Sequence, residues 1–213
     1  MAIARASKTQ RRTRIQEEKE EIILQAALDV FSMRGLRGAT IDQIAEVAGM
    51  SKPNLLYYFR TKDAIHRALM DRLLDNWLEP LRAFDADGDP QEEIRDYIRR
   101  KLELARDFPR ESRLFANEVL QGAPTIQDVL RGPLKDLVDE KAKVIRSWIA
   151  SGKLVACDPY HLIFSIWSTT QHYADFDVQV RAVLGEGDAE QQRFERAARF
   201  LEDLFLRGLR PDG

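Results

Sequence analysis

Apolar residues recur at spacings of three and four along nearly all of this 213-residue chain, and no segment sustains the period-two alternation of a strand. That periodicity admits helices and little else, so the fold class is all-α. Punctuation divides the pattern into about nine helices. Ile22, Ile23, Ala26, Ala27, Val30 and Phe31 form the stripe of a first helix over about residues 15–33, stopped by Gly35 and Gly38. Thr40 and Gln43 make a capping-box pair for a second helix, and Gly49 supplies the turn after it. Ser51 caps a third helix, with Pro53 in its first turn. Thr61 caps a fourth, which runs toward Pro80. Behind these, Asp89-Pro90, Pro109, Gly132-Pro133, Asp158-Pro159 and residues 185–188 mark the limits of a larger bundle, closed by a helix over about residues 189–207. A short segment over residues 125–130 lies within it.

Charge divides the chain along the same line. Residues 1–68 hold 12 Lys/Arg against 8 Asp/Glu, a balance of +4, and the remainder holds 21 against 27, a balance of −6. A positive front on an acidic body is suited to a polyanion at the front alone. Arg5, Lys8, Arg11, Arg12 and Arg14 precede the first acidic residue, so residues 1–14 read as a flexible basic arm able to touch phosphates. The lone Cys157 excludes an internal disulfide and reads as a packing residue in a reducing cytoplasm. No run is long and apolar enough for a membrane span, and the basic N-terminus lacks the apolar core of a secretory signal. Three histidines and one cysteine make a metal site implausible, and His66 and His161 read as surface or packing residues. There is no nucleophile elbow and no phosphate-binding glycine loop, and the pairs Glu17-Glu18 and Glu92-Glu93 fall on polar faces. The chain is therefore not expected to be an enzyme, nor to carry a cofactor.

Residues 40–62 carry the most specific chemistry. Two short helices joined by a tight turn place the second in a DNA major groove. Leu55 and Phe59, four apart, turn inward with Ile41 and Ile44, which leaves Ser51, Lys52, Pro53, Asn54, Tyr57 and Tyr58 outward or at the rim. Lysine meets phosphate or guanine, asparagine meets adenine or phosphate, and tyrosine offers a hydroxyl to phosphate and a ring to a thymine methyl. Thr40 and Lys62 stand at helix starts, where N–H groups already favour an anion. The division is thus an arm over 1–14, a DNA-binding domain over 15–62, and a second domain over 63–213.

The run Ile44-Ala45, Ala48-Gly49-Met50-Ser51, Leu55-Leu56-Tyr57-Tyr58-Phe59, Thr61-Lys62-Asp63 resembles the helix-turn-helix domain of TetR-family transcriptional regulators. It departs from the family pattern at Met50, at Leu56 and at Asn54. Further stretches, ILQAALDVF, KLELARDFP, SGKLV, DPYHLIF and IWSTTQHYADF, resemble regulators of pyrimidine utilisation within that family. The resemblance implies a cytoplasmic homodimeric repressor of double-stranded operator DNA, dimerising through its last two helices and responding to a small effector such as uracil or thymine. The alternative keeps the DNA function and exchanges the pyrimidine for a more apolar ligand, such as an efflux substrate.

The rear residues suit a flat neutral ring. Trp167 and Gln171 share one helix face, His172 and Tyr173 follow, and Trp77 stands on the helix continuous with the front domain. An indole offers an apolar face and one N–H, while a glutamine amide can meet two adjacent positions of a uracil edge. The expected effector set is Trp77, Phe115, Trp167, Gln171, His172 and Tyr173.

Overall fold

A computed structural model describes residues 2–185 and 189–211, with side chains from residue 14 onward. Every regular element among the described residues is helical. The first helix, α1 (Ala2–Gly38), begins well before residue 15, and residues 2–14 of the expected arm lie within it. Of the expected arm residues Arg5, Lys8, Arg11 and Arg12 only the backbone is described. At Gly35 the backbone turns to φ 65° and breaks α1 where the sequence places its stop.

Two further helices complete the front, α2 (Ile41–Val47) and α3 (Lys52–Tyr58). Thr40 Oγ1 accepts from Gln43 N at 3.3 Å while Thr40 N donates to Gln43 Oε1 at 3.0 Å, the reciprocal box read from the sequence. Gly49 at φ 63° makes the turn. Ser51 stands at the start of α3 but its hydroxyl makes no capping bond, which corrects the sequence reading; Pro53 in the first turn removes one of the N–H groups that a cap would satisfy.

The body comprises α4 (Lys62–Arg82), α5 (Pro90–Asp107), α6 (Pro109–Leu120), a short turn α7 (Gln127–Val129) that widens over Leu130–Leu134, α8 (Lys135–Ala150), α9 (Pro159–Asp175), α10 (Asp177–Leu184) and α11 (Glu190–Leu209). Asp89 caps α5 through the N–H groups of Gln91 and Glu92, and Asp158 caps α9 through those of Tyr160 and His161. Pro80 does not end α4, which runs one more half-turn to Arg82. The count of about nine helices omits α10, which Phe176 separates from α9.

Two apolar cores form. The front core joins Ile23, Ala27, Phe31, Ile44 and Leu55 to Leu69, Met70 and Leu74 of α4, and also takes in Leu114 of α6 and Ile126. The rear core joins Leu81 at the end of α4 to Tyr97, Ile98, Trp148, Ile163, Ile166 and Leu201. Helix α4 is thus embedded in both. Charged pairs reinforce the attachment of α1 to the body: Arg72 of α4 meets Glu21, and Arg110 of α6 meets Asp29.

Candidate DNA interface and effector site

The front brings the expected DNA-reading residues onto one surface. Thr40, Ser51, Lys52, Pro53, Asn54 and Tyr57 are all exposed, and Tyr57 is 70% exposed. Tyr58 differs: it is half-buried against the front core and meets the exposed Tyr57 ring edge-on at 5.2 Å, so it backs that ring. Lys52 Nζ lies 2.9 Å from Asp42 Oδ2, joining α3 to α2. An exposed pair of this kind contributes about 0–1 kcal/mol, so an approaching phosphate can displace it. Lys62 Nζ donates to the Ala39 carbonyl at 2.8 Å, tying the start of α4 to the residue before the α2 cap. That bond uses one of three donors. Arg34, Arg37 and Arg60 are exposed on the same third of the chain and have no hydrogen-bond or ion-pair partner among the described residues. They extend the positive surface beyond the residues picked from the motif.

The effector set is dispersed. Trp77, 6% exposed, lines a cavity of about 150 Å³ with Leu28, Leu73, Asn76, Phe108 and Glu111. Trp167 lines a separate groove with Leu134, Val138, Tyr160 and Phe164. Phe115 packs against the front core. His172 is exposed and stacks on Phe176 at 5.0 Å. Tyr173 leans on Phe194, and burial pushes its hydroxyl pKa up. Gln171 is half-buried on α9. The cavities beside Trp77 and Trp167 have different linings, and neither takes in the other four.

Helix α5 links the two tryptophans through residues absent from the sequence-derived set. Trp167 Nε1 donates to the Tyr97 hydroxyl at 2.5 Å, and burial holds that phenol well above its ordinary pKa. One turn on, Lys101 Nζ stands 5.0 Å from the centre of the Trp77 ring. Lys101 is 3% exposed, and burial pushes its ammonium down to about 7, opposed by Asp175. The Asp175 carboxyl is raised by burial, against a 2.5 Å hydrogen bond donated by Ser112. The signal for Lys101 was legible: it stands on the stripe of Ile94, Tyr97, Ile98, Leu102 and Ala105, where a lysine is out of place.

A second buried polar group lies between front and body. His66, expected at the surface or in packing, is 1% exposed on α4. Thr125 Oγ1 donates to Glu118 Oε1 at 2.5 Å and hydrogen-bonds with His66 Nδ1 at 3.1 Å. His66 Nε2 in turn stands 3.8 Å from Glu118 Oε2. Glu118 also accepts from Thr125 N at 2.6 Å. Burial outweighs the Glu118 charge and keeps the His66 pKa below its ordinary value. Next to it, Arg67 grips Asp128 through both guanidinium ends and donates to the Thr125 carbonyl.

Comparison with known proteins decides what this arrangement is. Residues 23–69 match the family of bacterial regulatory proteins called tetR, and residues 70–212 match the C-terminal region of YcdC-like proteins. The chain belongs to the TetR family. It is 49% identical over 203 residues, 95% of this chain and 96% of the relative, to the HTH-type transcriptional regulator RutR of Escherichia coli K12. A TetR-like regulator from Rhodococcus sp. RHA1 superposes with a TM-score of 0.66 at 25% identity, over 89% of this chain and 94% of that one. AibR, solved with isovaleryl coenzyme A and operator DNA, gives 0.66 at 18% identity, over 87% and 97%. As a TetR-family member the chain is a ligand-responsive transcriptional regulator that binds DNA through its helix-turn-helix, and it is not an enzyme. No helix among the described residues is long and apolar enough to cross a membrane.

Proposed function

We propose that the protein is a dimeric repressor whose operator affinity is set by a pyrimidine such as uracil or thymine. The observation that carries this reading is the end-to-end similarity to RutR, with the polar-aromatic interior of Trp77, Tyr97, Trp167 and Gln171 behind it. In this reading residues 15–62 read DNA, with Lys52, Asn54 and Tyr57 as groove or backbone contacts and Thr40 and Lys62 toward phosphates. Residues 63–213 bind the effector and dimerise.

Exposed apolar side chains on α9 and α11, among them Phe164, Phe200 and Leu204, support the last long helices as the two-fold interface. Two α3 helices about 34 Å apart then read a pseudopalindrome. The effector acts only through its affinity difference between the DNA-compatible and DNA-incompatible spacings. Helix α4, sunk in both cores, transmits the choice.

The apolar groove beside Trp167 favours the second reading, a more apolar effector. Thermal-shift profiling discriminates: uracil and thymine raise the melting temperature in the first reading, whereas apolar efflux substrates do so and pyrimidines do not in the second.

A further inference from the structure

We propose that buried His66 is an acid-sensitive latch between the DNA-binding front and the body: proton uptake by its ring opens the contact between α4 and the turn after α6 and weakens binding to operator DNA. What changes is DNA binding in the absence of any effector, so the latch stands apart from the pyrimidine reading.

Geometry carries it. His66 on α4 and Glu118 at the end of α6 are 1% and 4% exposed. Both hold the same turn. Glu118 Oε1 accepts from Thr125 N and from Thr125 Oγ1, and Thr125 Oγ1 hydrogen-bonds with His66 Nδ1 at 3.1 Å. From α1, the Phe31 ring meets His66 edge-on at 5.2 Å. One titratable ring thus touches the front core, the last turn of α6 and the segment that follows. That segment is strained: Gly122 stands at φ 89° and Ala123 at φ 54°, the one non-glycine residue with positive φ among the described residues. Its polar ties to α4 come from His66 and from Arg67, which reaches the Thr125 carbonyl and Asp128. The Arg67–Asp128 pair is exposed and screened, so it holds the segment weakly. The buried cluster is the stronger hold.

A proton disturbs that hold. The charged groups facing His66 are Glu118 on α6 and Asp63 and Lys62 on its own helix, while α1 presents the uncharged Phe31 ring. Glu118 Oε2 stands 3.8 Å from His66 Nε2, beyond hydrogen-bond reach, and Oε1 is occupied by Thr125. An imidazolium here gains part of an ion pair and forfeits its hydration. Burial outweighs the carboxylate, so the ring takes up a proton less readily in place than in water. A conformation that exposes His66 binds the proton better, and acid therefore shifts the population toward it. There the relaxed turn no longer fixes α4 to the body, and the front loses the preorganised placement that reading a full operator requires.

The test is fluorescence anisotropy of the full-length protein, free of effector and at fixed ionic strength, on a duplex that it selects from random-sequence DNA at pH 7.5. Between pH 7.5 and about 5.5 the wild type is expected to lose affinity about threefold or more relative to His66→Gln, whose amide keeps a polar group in place and does not titrate. Other groups, Lys101 among them, titrate in both proteins, so the comparison isolates the ring. Equal pH dependence in the two, or a loss that coincides with global unfolding by circular dichroism, overturns the inference. NMR of the wild type reads the same event without a variant, should His66→Gln fail to fold. The His66 ring signals and the methyls of Ile126, the buried residue after Thr125, are expected to shift with one midpoint. Ile126 methyls that stay fixed while His66 titrates overturn it.

Discussion

Lys101 and His66 both interrupt apolar helix faces, and different physics makes each tolerable. Lys101 has its ammonium lowered from 10.5 to about 7 by burial. At about 1.36 kcal/mol per unit this corresponds to an upper bound on the order of 5 kcal/mol against the folded state. A depressed amine binds its proton less in the native state than in the unfolded one, so the penalty is complete below about pH 7 and disappears as pH rises toward 10.5. Lys101→Met should therefore raise the melting temperature by several degrees at pH 6 and progressively less between pH 7 and 10.5, read by calorimetry across that range. His66 is instead neutral and satisfied. Its lowered pKa means that acid must charge a buried ring, so stability begins to fall as pH drops through the ordinary value of 6.5. Glu118→Gln, which perturbs the carboxylate that Thr125 and His66 share, should cost about 1–3 kcal/mol in denaturant unfolding at pH 7.

Among the elements, the helix-turn-helix was the most legible because its signals are local. The Thr40–Gln43 box, Gly49 and the inward Leu55 follow from spacing and backbone geometry alone. Ser51 shows the limit of that logic: the residue type suits a cap, and the hydroxyl is left free for another partner. Helix α10 was not separated from α9 because the sequence shows no break before residues 185–188, and the break at Phe176 has no glycine or proline to mark it. The α2–α3 surface itself makes a clean prediction. Lys52→Ala should weaken operator binding across sequences, lower the salt-dependence slope by about one, and leave the melting temperature within a degree or two, since the exposed Asp42 pair contributes little. Fluorescence anisotropy against ionic strength checks it.

At the scale of the whole molecule, charge separates front from body, and packing joins them through α4, the helix that the sequence reading already runs on from the front domain. Leu69, Met70 and Leu74 lie in the front core and Leu81 in the rear one, with His66 and Arg67 fastening the front half of α4 to Glu118, Thr125 and Asp128. Such a pairing of residues some sixty apart in sequence has no local signature. The residues expected to hold an effector do not gather in one cavity: Trp77 and Trp167 line different ones, and their link through Tyr97 and Lys101 is tertiary. The proposed dimer surface is a matter of the same scale. Phe200, 62% exposed on α11, and Leu204 have no cover within the chain. Phe200→Asp should convert the dimer to monomer in sedimentation velocity and abolish high-affinity operator binding, since each half-site contributes only part of the affinity.

A switch is tested by its coupling. Operator binding by the full-length protein, followed by anisotropy at fixed salt with and without saturating uracil, measures that coupling directly. A shift in operator affinity of fivefold or more, lost in Gln171→Ala, is the predicted result. An operator affinity that neither uracil nor thymine alters, in protein shown to bind them, would contradict the account.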